Sequence, residues 1–245
     1  MLFRSDDFAI ACDSKATATQ CWDEMDTYSK EPLKRESGLI TRHNGIEIIQ
    51  SAHGIKMHCQ TYIQKIIKTK NFNMTTTKHK PLPMDSDSKY MKSLENDIGS
   101  SDNDAHAALE HSIGFKYRNA KGEFIFAMVT CHADITFPVI KLTQYNSSPA
   151  NAHYEAVMKV FRFLNTTQTN GLTFWRPRPR NDLPLLTVPV PEPDTHKIHI
   201  PEEAASSLTE YGYTDSDLAG DTKTRNSVSG VTIIFGGAAT VYKTI

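Results

Sequence analysis

Seven of the chain's twelve prolines fall between Arg176 and Pro201, at positions 177, 179, 184, 189, 191, 193 and 201. Proline has no backbone N–H and a fixed φ, so a run this dense favours extended, polyproline-like chain and cannot join a central sheet. Whatever folds must therefore fold on either side of it. A second interruption, KPLPMDSDSKYMKSLENDIGSSDND (Lys80–Asp104), is polar and rich in Ser, Asp and Asn, and reads as a mobile linker with one short helix. The two breaks divide 245 residues into three ordered stretches.

In the first stretch Phe8–Cys12 is a short apolar run of strand type, preceded by the acidic pair Asp6-Asp7. Asp13-Ser14 is a plausible helix N-cap, and Ala18, Trp22, Met25 and Tyr28 recur at helical spacing, with Glu31-Pro32 ending the helix. GIEIIQSAHGIKMHCQ (Gly45–Gln60) places two apolar-rich runs about Ser51-Ala52-His53-Gly54, a hairpin signal. Tyr62, Ile63, Ile66, Ile67 and Phe72 then form a helical stripe with Lys65, Lys68 and Lys70 beside it. In the middle stretch Ala107–Tyr117 and Glu123–Thr130 are helix-compatible. Ser148-Pro149 opens a helix whose inner face is Ala152, Ala156, Val157, Val160, Phe161 and Leu164. In the last, Gly212–Asp215, Ser229–Phe235 and Ala239–Lys243 read as strands.

The formal net charge of −1 excludes a large global positive field for capturing nucleic acid but allows local basic stripes. Cys12, Cys21, Cys59 and Cys131 form no CxxC pair, so neither a zinc ribbon nor a disulfide framework is expected; idle thiols in a reducing compartment are. The start MLFRSDDFAI lacks a basic segment followed by a long apolar core, and no apolar run approaches ~18 residues. The expectation is an intracellular protein with no membrane span. Asp6-Asp7 suits Mg²⁺, which prefers oxygen ligands, but an acidic pair before a strand is more often just solvated. The same two readings apply to Thr214-Asp215-Ser216-Asp217. His196 and His199, and the group His53, His58 and Cys59, read as surface or structural residues rather than zinc ligands. The basic residues Lys65–Lys70 and Lys78–Lys80 could meet phosphates or simply water.

The order of the segments resembles the pol polyprotein of copia-type LTR retrotransposons, from the end of the reverse-transcriptase palm into RNase H. SDDFAIAC is similar to the tail of the family's Tyr-x-Asp-Asp motif, with Arg4 in place of the Tyr. GLITRHNGIEI (Gly38–Ile48) and IKMHCQTYIQKIIKTKNFNM (Ile55–Met74) resemble the segments that follow. In the stretch YRNAKGEFIFAMVTCHADITFPV…, Tyr117, Arg118, Gly122, Asp134, Ile135, Pro149, His153, Ala156, Arg162 and Leu164 fall in the family's register, with His132-Ala133 where it has Arg-Pro. YTDSDLAGDTKTRNSVSG resembles the opening of its RNase H domain, with Leu218 for Trp.

The resemblance implies an α+β fold in parts: the end of a palm and a thumb-like region (1–83), the polar linker (84–104), a helical connection (105–175), the Pro-rich linker (176–206) and the first antiparallel strands of an RNase H-like domain (207–245). It implies that Asp6 and Asp7 are polymerase Mg²⁺ ligands and Asp215 a nuclease Mg²⁺ ligand. Gly38 and Gly45 would position a primer, and Lys65 and Lys68 would contact the backbone of an RNA/DNA primer-template. The family's remaining carboxylates would lie upstream of Met1 and downstream of Ile245. The chain alone is therefore expected to be inactive as polymerase or nuclease. The alternatives are a non-enzymatic nucleic-acid-binding remnant and a remnant without function.

Overall fold

The computed structural model describes residues 12, 14–31, 33, 34, 38–52, 54–70, 82–100, 102–176, 210–217 and 228–244, with backbone alone at 215–217, 228, 243 and 244. The Pro-rich run beyond Arg176, the Phe8–Ala11 part of the predicted first strand, Phe72 and the histidines at 53, 196 and 199 lie outside the described residues. The architecture is α+β with antiparallel sheets.

Helix α1 (Lys15–Asp26) begins where expected: the Ser14 side chain accepts from the Thr17 N–H at 3.1 Å. It ends earlier than Glu31-Pro32 predicts, at the Thr27 cap, and it buries none of its residues. Tyr28, read as part of an apolar face, lies past the helix and is 92% exposed.

Strands β1 (Arg42–His43) and β2 (Ile46–Gln50) are joined by Asn44-Gly45, with φ of 48° and 81°. Positive φ at both central residues is what a two-residue turn between right-twisted strands needs, and Asn-Gly tolerates it. Strand β3 (Gly54–His58) returns antiparallel to β2, as the hairpin signal predicts. At the hairpin's tip the Ser51 hydroxyl accepts from the Gly54 N–H at 3.1 Å, and the Gly54 carbonyl accepts from the Ser51 N–H at 2.8 Å. Strand β4 (Gly171–Trp175) closes this sheet by pairing with β3, so the order is β1-β2-β3-β4. The sheet thus draws strands from both sides of the polar stretch at 84–104.

That stretch holds the one short helix expected in it. It carries helix α3 (Ser88–Asn96), capped by the Asp87 side chain on the Tyr90 N–H at 2.9 Å. Met84 and Leu94 are buried, and the Asp97 carboxylate accepts from the Ala152 N–H at 3.0 Å. A polar stretch is thus tied to the core by two apolar side chains and one carboxylate.

The helical layer follows. Helix α4 (Asn103–Ile113) stops at Gly114, whose φ of 91° is a left-handed C-cap, so the predicted Ala107–Tyr117 helix is divided. Helix α5 (Tyr117–Thr130), a 3-10 turn at Ala133–Ile135, helix α6 (Thr136–Thr143) and helix α7 (Asn151–Thr166) enclose the main core. The predicted inner face of α7 is buried at Ala156, Val157, Val160, Phe161 and Leu164. Phe161 packs on Phe124 with ring centroids 4.5 Å apart, and Tyr117 meets Tyr154 edge-on at 5.1 Å. The buried Tyr117 hydroxyl is satisfied by the Leu142 carbonyl at 2.9 Å.

The last three strands, β5 (Glu210–Asp217), β6 (Val228–Phe235) and β7 (Ala238–Thr244), form a separate antiparallel sheet in chain order. It meets the first sheet where the Trp175 N–H donates to the Gly236 carbonyl at 2.7 Å.

Candidate nucleic-acid interface

Helix α2 (Gln60–Thr69) starts where β3 ends. Its cap residue, Cys59, makes no side-chain capping bond; Glu47 on β2 supplies one instead, accepting from the Thr61 N–H at 3.0 Å. A carboxylate at this end also faces the positive end of the helix dipole. Ile63 and Ile66 are buried, and Tyr62 and Ile67 are half-buried. The opposite face is Thr61, Gln64, Lys65 and Lys68, all exposed, at the i, i+3, i+4, i+7 spacing of one helical stripe. No acidic residue occurs in the helix. Lysines on such a face can lay their ammonium groups along a phosphate backbone.

Lys70 belongs elsewhere. It pairs with Glu123 at 2.8 Å and lies 5.9 Å from the ring centroids of Phe115 and Phe161. The basic run read as one cluster is thus divided by its contacts: Lys65 and Lys68 face outward and Lys70 inward.

The two glycines read as primer-positioning both hold left-handed backbone, φ 118° at Gly38 and 81° at Gly45. A Cβ on Gly45 would lie 3.6 Å from the Phe126 ring, and Phe126 also meets Tyr62 of α2 at 4.4 Å between centroids. Phe126 therefore places the Gly45 turn beside the first turn of α2. Gly38 has no neighbour within 4 Å of a Cβ position, so it is not tied to this group.

Asp6 and Asp7 lie outside the described residues. Asp215 sits in β5, its Cα opposite Gly230 of β6, in a different sheet from the strands that the Gly45 turn joins. Among the described residues, no group of three or more His, Cys, Asp and Glu side chains is arranged to hold a metal ion. No helix among them is long and apolar enough to cross a membrane.

A buried polar group lies beside the start of α2; the sequence reading took His58 and Cys59 as surface or structural residues and did not bring Lys56, His132 or Cys131 to them. On β3, Lys56 and His58 point to the covered side; burial lowers the pKa of both, opposed at His58 by Glu47 3.8 Å away. His132, fully covered, holds Asp134 at 3.0 Å through Nδ1, and its Nε2 has no hydrogen-bond partner. Cys59 and Cys131 are buried next to them. The only local signals were the pairs His58-Cys59 and Cys131-His132, which have no recognisable ligand spacing.

No protein-family model and no solved structure matches the chain. It is 28% identical over 127 residues to the secreted RxLR effector protein 161 of Plasmopara viticola, covering 52% of this chain and 70% of that protein. It is 28% identical over 123 residues to the retrovirus-related Pol polyprotein from transposon TNT 1-94 of Nicotiana tabacum, 50% of this chain and 7% of that one. To the transposon Ty5-1 protein of Saccharomyces cerevisiae it is 25% identical over 176 residues, 69% of this chain and 49% of that protein. The chain spans less than half the length of either transposon protein. These similarities support a retrotransposon-derived protein, related at a distance to Pol polyproteins.

Proposed function

We propose that the chain corresponds to the part of a copia-type reverse transcriptase that holds an RNA–DNA primer-template, running from palm and thumb-like elements through a helical connection to an RNase H-like sheet. The observation that carries this reading is the outward face of α2. Lys65 and Lys68 stand there with Thr61 and Gln64, unopposed by any acidic residue of the helix, beside the Asn44-Gly45 turn. Gly45 supplies the left-handed backbone that the tight turn needs, and the lysines supply charge to the nucleic-acid backbone. In the same reading Asp6, Asp7 and Asp215 belong to Mg²⁺ sites, where the ion would neutralise charge developing on phosphate oxygens.

Binding of a fluorescent RNA–DNA hybrid at increasing salt tests the proposal. The logarithm of the binding constant should fall linearly with the logarithm of salt concentration. Each phosphate contact removed by Lys65→Ala or Lys68→Ala should reduce the slope by about 0.9. Absence of binding at low salt, or a slope indifferent to both substitutions, overturns it. A primer-extension assay with Mg²⁺ separates the enzymatic reading from the binding-only one: extension abolished by Asp6→Ala and by Asp7→Ala marks a polymerase. Hybrid binding with no extension marks a non-enzymatic nucleic-acid-binding protein.

A further inference from the structure

The polar face of α2 does not end at α2. Two contacts set that helix against α7. The Gln64 amide donates to the Gln168 side-chain oxygen at 3.1 Å, and the Lys70 ammonium lies 5.9 Å from the Phe161 ring centroid. Residue numbers thus rise along α2 as they fall along α7. The two helices are antiparallel neighbours, and Lys68, one turn on from Gln64, runs beside the last turns of α7. Gln168 in turn donates to the Asn165 side chain at 2.9 Å. Three amides therefore carry the polar face of α2 onto α7, and each keeps an N–H for a further acceptor.

On α7 the side opposite the core is Glu155, Lys159, Arg162 and Thr166, at i, i+4, i+7 and i+11, none of them buried. Its two cations are not equivalent. The Lys159 ammonium pairs with Asp85 and stands 5.0 Å from the Tyr90 ring centroid, so its charge is already balanced. The Arg162 guanidinium has no ion-pair or hydrogen-bond partner among the described residues, and it lines the groove between α3 and α7 with Leu94 and Ala152. Three residues before Asn165, it is next to that amide on the helix surface. Glu155 lines the same groove, but seven residues earlier, about 10 Å along the helix.

We propose that the nucleic-acid surface crosses from α2 onto α7 and ends at Arg162, which holds one further phosphate of the strand that Lys65 and Lys68 contact. This extension rests on the α2 interface, because Arg162 by itself is a single charge. Packed helices lie about 9 Å apart, close to three steps of a strand that rises about 3.4 Å per nucleotide, so one strand can lie across both. The guanidinium fork meets two phosphate oxygens at once, and the amides of Gln64, Gln168 and Asn165 donate to the backbone between. Glu155 sets the far end. Its carboxylate repels phosphate, and the ion pair of Lys159 with Asp85 offers no net charge beyond Arg162.

The test uses the full chain and a fluorescent RNA–DNA hybrid titrated at increasing salt. Arg162→Ala should lower the slope of log binding constant against log salt by about 0.9, the loss of one phosphate contact. Arg162→Lys keeps the charge and should retain the slope. Lys159→Ala should leave it unchanged. If Lys65→Ala and Lys68→Ala lower the slope and Arg162→Ala does not, the extension onto α7 is wrong while the α2 interface stands. If Arg162→Ala lowers it and neither α2 lysine does, the α2 interface is wrong and the crossing falls with it. An equal drop for Lys159→Ala means diffuse charge rather than a contact at Arg162, and overturns the proposal. A second readout needs no substitution. Phenylglyoxal, which labels arginine, should modify Arg162 in the free chain, and hybrid bound at low salt should shield it, as read by peptide mapping. Equal labelling of Arg162 with and without bound hybrid overturns the proposal.

Discussion

The helical layer and the C-terminal sheet are held by different means. Between α5, α6 and α7, large side chains disappear completely: Phe124, Phe161, Leu142, Val157 and Leu164 are all at 0% exposure. In β5–β7, Ala238 is the only buried hydrophobic residue among the described ones, while Tyr213, Phe235 and Val241 are exposed. The sheet's regularity comes from its ladders, and its position from a few docking contacts. Trp175 donates its N–H to Gly236, the Trp175 ring covers Gly237, and the Tyr242 hydroxyl donates to the Met128 carbonyl of α5. A closely packed core spreads its stabilisation over many contacts, whereas a docked sheet concentrates it in a few.

The largest expected effect tests the first half of that contrast. Phe161→Ala removes a ring that packs against both Phe124 and Phe115, and should cost about 3–5 kcal/mol of stability in denaturant titration. Ile233→Ala, at a half-covered position of β6, should cost clearly less. Equal losses would mean that the sheet has a core of its own, and the contrast would fail.

Gly237→Ala probes the docking. Its φ of 85° is left-handed, and an added Cβ would lie 2.5 Å from Cδ1 of Trp175. Backbone strain of this kind costs about 1–3 kcal/mol, and the indole must move as well. Hydrogen exchange should report the loss locally, with the Trp175 amide deprotected and the amides of α7 unchanged. Loss of protection throughout α7 would show that sheet and helices unfold as one unit.

His153 adds a pH dependence that belongs to the helical layer alone. It is covered, stacks on Tyr145 at 3.9 Å, accepts from the Ala150 N–H through Nδ1 at 2.8 Å, and lies 2.9 Å from the Leu94 carbonyl through Nε2. This arrangement requires a neutral ring with its proton on Nε2. Burial lowers its pKa, with the Leu94 bond and Asp97 opposing. The unfolded chain therefore takes up the proton first as pH falls. The stabilisation is complete above the ordinary histidine value of about 6.5 and is lost as pH falls below it towards the folded value, by at most about 1.4 kcal/mol per unit. His153→Gln should flatten the fall between pH 7 and 5; the part that remains belongs to groups such as His58, lowered in the same direction.

How far the sequence disclosed all this differs between the regions for physical reasons. The β2–β3 hairpin and α7 were legible because their apolar spacing and their Gly and Pro signals are local. Strand β4 was not: every residue of Gly171–Trp175 is half-buried, so no alternation marks it, and its partner β3 is more than a hundred positions away. Helix α6 was missed because Pro138 suggests a break, yet proline is tolerated in a first turn, where its missing N–H is not needed. At the candidate interface, spacing alone put Lys65 and Lys68 on an outer face. It could not separate them from Lys70, whose direction is set by Glu123 on another helix.

The smallest effect falls on the seam between the two regions. The Tyr242 phenol, its pKa pushed up to about 12 by burial, stays protonated at ordinary pH and donates a hydrogen bond to the Met128 carbonyl. Tyr242→Phe keeps the ring and removes only that hydrogen bond, so the expected loss is about 1 kcal/mol. The readout matters more than the size. If the sheet is docked rather than fused, Tyr242→Phe and Gly237→Ala act on one seam, and the double variant should depart from the sum of the two single losses. Tyr242→Phe with Phe161→Ala, which acts on a separate core, should be additive within about 0.5 kcal/mol. Non-additivity in that second pair would mean that the seam and the core are coupled.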